Sequence, residues 1–159
     1  RSMGRIAGGV RAIKLEKGDE VVAMELVEPD QELLVVTENG YGKRTSVKDY
    51  KIQVRGGKGL LTYDKTKFKK TGALIGAMVV DEDDEILMIN SEGIIIRIRA
   101  GEVSKLGRAT QGVKIMKVGD DTKIVAMAKV IKEDDEEEDD ETEPKPKKAE
   151  KNSDEQMTL

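Results

Sequence analysis

Apolar residues fall in short runs separated by polar turns. Leu33-Leu34-Val35-Val36 and Ile86-Leu87-Met88-Ile89 are each four residues long, the length of a buried strand and too short for a helix. Asn39-Gly40 follows the first run and Glu92-Gly93 the second, and each places a glycine where a tight hairpin needs positive φ. Past the second turn, Ile94-Ile95-Ile96-Arg97-Ile98-Arg99 alternates at its end, so Arg97 and Arg99 share one face of a strand. Val21–Leu26, Ile75–Val80 and Ile124–Val130 are also apolar and rich in β-branched residues, and strands are expected there. Short helical turns are expected at Ser46–Tyr50 and Ala100–Leu106. No longer segment has a 3.6-residue period, so the predicted fold class is all-β.

The runs belong to an internal repeat. Met3-Gly4-Arg5-Ile6-Ala7-Gly8-Gly9-Val10-Arg11-Ala12-Ile13-Lys14 aligns without a gap on Leu106-Gly107-Arg108-Ala109-Thr110-Gln111-Gly112-Val113-Lys114-Ile115-Met116-Lys117, 103 residues later. A middle copy stands at Val54-Arg55-Gly56-Gly57-Lys58-Gly59-Leu60-Leu61. Glu32–Gly40 likewise returns 53 residues on as Glu85–Gly93. Four short strands in each ~50-residue unit predict propeller-like blades, each hiding its face against the next. Residues 31–80 and 85–130 make two units, and 1–27 the second half of an earlier one. Two and a half blades cannot close a ring, so further blades are expected upstream in a longer parent, in keeping with a first residue that is not Met.

Composition narrows the chemistry. The 159 residues include no Cys, no His, no Trp and one Phe. A disulfide framework, a thiolate or histidine metal site and a Ser-His-Asp triad are therefore excluded. No apolar run approaches the ~20 residues of a spanning helix, and no signal-peptide pattern opens the chain. No catalytic residue, metal or cofactor is expected in this chain, and the expected setting is cytoplasmic, away from membranes.

Charge is unevenly divided. Residues 1–130 hold 23 Lys+Arg and 19 Asp+Glu, whereas 131–159 hold 5 Lys and 13 acids, nine of them consecutive from Glu133 to Glu141. The expected organisation is a mildly basic β domain over 1–130 and a disordered acidic tail over 131–159. The tail is read either as a solubilising appendage or as a competitor for a nucleic-acid surface on the body. Within the body, cations stand beside glycines at recurring positions: Gly4-Arg5, Gly42-Lys43-Arg44, Arg55-Gly56-Gly57-Lys58 and Gly107-Arg108. Arg11 and Lys14 recur as Lys114 and Lys117. Spaced cations with closely approachable backbone suit phosphate contact without sequence readout. The candidate DNA-binding residues are Arg5, Arg11, Lys14, Lys43, Arg44, Arg55, Lys58, Arg97, Arg99, Arg108, Lys114 and Lys117. Gly4, Gly9, Gly40, Gly56, Gly57, Gly59, Gly93, Gly107 and Gly112 are expected to serve the turns.

Four motifs in register, Gly4-Arg5-x-Ala7-x-Gly9-Val10-Arg11-x-Ile13, Asn39-Gly40-Tyr41-Gly42-Lys43-Arg44-Thr45, Arg55-Gly56-Gly57-Lys58-Gly59 and Gly107-Arg108-x-Thr110-Gln111-Gly112-Val113, resemble the last blades of the DNA gyrase A C-terminal domain family. The A-type subunit of topoisomerase IV, built from related blades, is the near alternative. The resemblance implies a β-pinwheel, with strands exchanged between neighbouring blades, that wraps double-stranded DNA around a basic rim. It implies a parent type II topoisomerase that introduces negative supercoils, with a gyrase B subunit carrying ATP and Mg and a second A subunit joined through the N-terminal region. It also implies that the DNA-cleaving tyrosine lies elsewhere, so Tyr41, Tyr50 and Tyr63 are not nucleophiles. Gln53–Gly59 resembles the family's glycine-rich box, with Val54 where the family has a second basic residue.

Other readings of the residues are weaker. Asp81–Glu85 lacks the ligand spacing and glycine of a calcium loop and reads as a solvated turn. Arg55–Gly59 lacks the length and the following Ser/Thr of a nucleotide loop. A propeller-like protein-interaction scaffold with an incidental basic rim stays open from the residues alone.

Overall fold

Each apolar run becomes a strand. The computed structural model describes residues 2–131. In it β1 (Glu32–Thr37) and β2 (Tyr41–Ser46) form an antiparallel hairpin, with Leu34 opposite Arg44 and Val36 opposite Gly42. β3 (Leu74–Val80) pairs with the other edge of β1. One repeat later β4 (Glu85–Asn90) and β5 (Ile95–Arg99) form the second hairpin, and β7 (Ile124–Lys129) pairs with β4 as β3 does with β1. The turns close through Gly40 and Gly93, at φ +79° and +82°.

The remaining strand joins the two units. β6 (Val113–Lys114) follows β5 in sequence but pairs with β2, Tyr41 opposite Lys114 and Gly42 opposite Val113. The sheets are thus β3-β1-β2-β6 and β5-β4-β7. The first is completed by a strand that the following unit lends it. Both share one core of Leu34, Val36, Val80, Ile86, Met88, Ala100, Val103, Met116 and Ile124. Sheet and lent strand are therefore held by common apolar burial as well as by the ladder.

The 3-10 turns Val47–Asp49 and Ala100–Glu102 fall where helical turns were expected. A third turn, Lys65–Lys67, runs into the short helix α1 (Phe68–Thr71), which no repeat position foreshadows. Val21–Leu26 is not a strand, although its repeat equivalents β3 and β7 are. Those two each pair with a hairpin of their own unit, and no hairpin precedes Val21 among the described residues. Its apolar side chains stay exposed, Met24 and Leu26 almost wholly so. The expected acidic tail, with Glu133–Glu141, lies outside the described residues. Among the described residues no helix is long and apolar enough to cross a membrane.

Candidate nucleic-acid interface

The geometry is set where β6 enters the first sheet. A Cβ on Gly40 would stand 2.1 Å from the Met116 carbonyl oxygen, so the lent segment passes directly over the hairpin turn. A Cβ on Gly112 would meet the Gly42 oxygen at 2.7 Å and the Tyr63 hydroxyl at 2.8 Å. At both positions φ is positive, so any side chain would add backbone strain to the overlap. Before β6, Ser104–Leu106 runs beside Arg44, exchanging backbone hydrogen bonds of 3.0 and 2.8 Å with it. Between these contacts the Gly107–Gly112 loop arches over the edge of β2.

Lys43 lies beneath that arch and is fully buried. Its Nζ donates to Gly107 O at 2.9 Å, to Arg108 O and to Thr110 Oγ1 at 3.3 Å, and stands over the Tyr63 ring. Burial, with the nearby Arg108 guanidinium, brings its pKa down to about 8. Arg44, on the opposite face, donates from Nε to Val103 O at 2.8 Å, from Nη2 to Gly101 O at 3.1 Å and from Nη1 to Glu32 Oε2 at 2.6 Å. Two of the twelve candidate cations are therefore turned inward. Both faces of β2 are covered, and Lys43 and Arg44 clamp backbone of the neighbouring unit instead of meeting solvent.

The other ten differ in how free they are. Arg5, Arg11, Lys14, Arg55, Arg99 and Lys117 are exposed and, among the described residues, have neither an ion pair nor a side-chain hydrogen bond. Lys58 faces Glu16 at 3.7 Å and Arg97 is paired with Glu85, both pairs with solvent-facing cations. Arg108 is half-buried and donates to Leu61 O at 2.6 Å. Lys114 is exposed, donates to Asn39 O at 3.0 Å and stands 4.8 Å from the Tyr41 ring centroid. Of the glycines named from the repeat, Gly4, Gly9, Gly93 and Gly107 would meet nothing within 4 Å if they carried a Cβ, and of these four Gly9 and Gly93 have positive φ, so neither space nor backbone conformation requires Gly4 and Gly107.

The structure adds a patch that the repeat did not mark. Lys70 stands over the Tyr41 ring at 5.5 Å, and its carbonyl accepts from Asn39 Nδ2 at 3.0 Å. Tyr41 therefore carries two ammonium groups, Lys70 from the α1 helix and Lys114 from the lent strand. Lys65, Lys67 and Lys69 extend this charge, and all are exposed. The signal was the run Lys65-Thr66-Lys67-Phe68-Lys69-Lys70 itself, four cations in six residues with no equivalent in the other units.

The three tyrosines are accounted for by these contacts. Burial pushes the Tyr63 phenol up to about 12, Tyr50 shares a hydrogen bond with Thr62, and Tyr41 is the ring between the lysines. Asp81–Glu85 is a turn whose carboxylates engage Arg44, Arg97, Lys129 and the Asp81 amide. Among the described residues no three His, Cys, Asp or Glu side chains converge as a metal site.

The model of the family described as DNA gyrase C-terminal domain, beta-propeller, matches residues 1–28, 31–81 and 84–131. The chain belongs to the DNA gyrase A C-terminal domain family. The DNA gyrase A protein of Staphylococcus aureus (strain MRSA252) is 42% identical over the whole of this chain and 16% of its own length. That of Mycolicibacterium smegmatis (strain ATCC 700084 / mc(2)155) is 42% identical over 85% of this chain and 16% of its own length. This gyrase-family chain thus spans about a sixth of the curated relatives it matches. A solved DNA gyrase A C-terminal domain superposes with a TM-score of 0.73 at 36% identity, covering 82% of this chain and 44% of the other. The C-terminal domain of a DNA topoisomerase IV reaches 0.71 at 20% identity, covering 77% and 38%, a likeness of fold.

Proposed function

We propose that this chain binds double-stranded DNA through phosphate, without reading sequence, and serves as the DNA-wrapping part of a DNA gyrase A protein. The observation that carries the reading is the set of exposed cations with no acid partner among the described residues, recurring by repeat position in a gyrase-family fold. Arg99, Lys117 and the Lys70–Tyr41–Lys114 group offer charge to a duplex, while Lys43 and Arg44 hold the blades that display it. The parent is a cytoplasmic type II topoisomerase, in which the partner B subunit supplies ATP and Mg and a second A subunit completes the complex. This chain itself carries out no cleavage and hydrolyses no ATP.

Salt dependence tests the reading. Each phosphate neutralised contributes about −0.9 to the slope of log affinity against log salt. Replacing Lys70, Arg99, Lys114 and Lys117 by Ala should weaken binding to unrelated duplexes alike and flatten that slope, measured by fluorescence anisotropy. An unchanged slope would refute the assignment, and an affinity insensitive to salt would favour a protein-interaction scaffold.

A further inference from the structure

Two exposed cations of this chain share one ring. Lys114 Nζ stands 4.8 Å and Lys70 Nζ 5.5 Å from the centroid of Tyr41. The three residues come from three elements: Tyr41 from β2, Lys114 from β6 and Lys70 from α1. Lys114 is directly opposite Tyr41 in the ladder. Asn39, in the hairpin turn, ties the two lysines together. Its side-chain amide donates to the Lys70 carbonyl and its own carbonyl accepts from Lys114 Nζ, each at 3.0 Å. Neither ammonium has an ion pair among the described residues.

Like charges gathered at one ring repel. An exposed cation–π contact returns only about two- to fivefold in an equilibrium for each cation. The pair therefore stands as concentrated positive charge that an incoming anion would balance. The platform beneath is fixed. Tyr41 is half-buried, its backbone N–H and carbonyl both bond the Thr37 hydroxyl at 3.3 Å, and β2 has a strand on each side. A lysine ammonium on its own moves freely on a four-carbon stem, and ordering such a side chain weakens binding. Two ammoniums already held on a rigid strand lose less freedom when an anion arrives. The repeat sets the arrangement apart: 53 residues after Tyr41 stands Ile94, an aliphatic side chain with no π face to offer a cation.

We propose that Tyr41 is the positioning residue of a two-lysine phosphate contact, its ring holding the Lys70 and Lys114 ammoniums in place for the phosphodiester backbone of a duplex. The inference rests on the DNA-binding reading above and assigns within it a residue that carries no charge itself. Because Lys114 belongs to the lent strand, the contact stands on the seam between the two units. Charge and arrangement then have separate signatures: the lysines set the dependence on salt, and Tyr41 sets the affinity at a given dependence.

In the full chain, Tyr41→Ile installs the residue that the second hairpin carries at this position and leaves both lysines in place. Duplex affinity, read by fluorescence anisotropy, should fall about fivefold. The slope of log affinity against log salt should stay as it is, because the same phosphates are neutralised. Tyr41→Phe keeps the ring and should bind as the parent does. Once Lys70 and Lys114 are both replaced by Ala, Tyr41→Ile should cause no further loss. In NMR spectra of the parent, added duplex should shift the Lys70 and Lys114 ε-methylene signals and the Tyr41 ring signals with one midpoint. Parent-like affinity of Tyr41→Ile overturns the proposal, as does an equal loss in the chain lacking both lysines, Tyr41→Phe as weak as Tyr41→Ile, or signals that duplex leaves unmoved. A parent that binds no duplex refutes the DNA reading as well, whereas a parent that binds and is indifferent to Tyr41→Ile refutes the positioning role alone.

Discussion

Gly40 and Gly93 form a matched pair in which only one carries the lent segment above it. Alanine at either pays for a left-handed conformation, about 1–2 kcal/mol. At Gly40 the new Cβ also overlaps the Met116 carbonyl, an overpacking cost of about 1–3 kcal/mol more. Gly40→Ala should therefore lower the urea midpoint well beyond Gly93→Ala. Equal losses would mean that the junction yields freely. Lys43 gives a pH signature. Its folded pKa, about 8, lies below the ordinary 10.5. Between those values the unfolded chain holds a proton that the folded chain has shed, so raising the pH favours the folded state. The stability of the parent chain relative to Lys43→Met should rise from pH 8 to 10.5, as read by urea unfolding at several pH values. A flat difference would contradict the buried ammonium. Lys43 also shows what patterning conceals. Adjacent strand residues face opposite sides, so Lys43 and Arg44 looked like surface charge until both sides of β2 proved to be covered.

Strands and hairpins were legible because each rests on local signals: apolar runs of strand length and a glycine at each turn. The lending of β6 was not local. Val113-Lys114 reads the same whichever sheet it joins, and only the family resemblance implied exchange. The α1 lysines were missed for the opposite reason, since they follow no repeat, and Val21–Leu26 read as a strand because patterning cannot report whether a pairing partner exists. The clamp between units offers a comparison inside one molecule. Glu32 holds the buried Arg44 and also Lys105 at 2.5 Å, whereas Glu85 holds Arg97, which is 58% exposed. Removing one partner of a buried pair costs about 3–5 kcal/mol, while an exposed pair contributes about 0–1 kcal/mol. Glu32→Ala should thus destabilise strongly and Glu85→Ala slightly in denaturant unfolding. Similar losses would show that Arg44 finds an adequate substitute, with Glu82 at 3.6 Å the nearest.

Across the whole chain the opposing charges are covalently joined. Residues 131–159 hold 13 acids against 5 lysines and continue directly from the end of β7. Tethering raises the local concentration of these acids near the basic body, so on the proposed DNA-binding function they are expected to compete with phosphate for the same cations. Truncation after Val130 should raise DNA affinity, most at low salt, because screening shortens the reach of exposed charges to about 8 Å near physiological ionic strength. Equal affinities of the full and shortened chains at low salt would leave the acids a solubilising role alone.

The lent strand also imposes an order on biosynthesis. β2 ends at Ser46, and the strand that covers its outer edge starts at Val113. At about 5–20 residues per second, a ribosome takes several seconds to cross that interval. Throughout it the outer edge of β2 lacks the strand that covers it in the folded chain. The same delay applies whenever a unit must wait for its successor. The topology that couples the blades in the finished molecule leaves the newborn hairpin with an open edge until its successor is made.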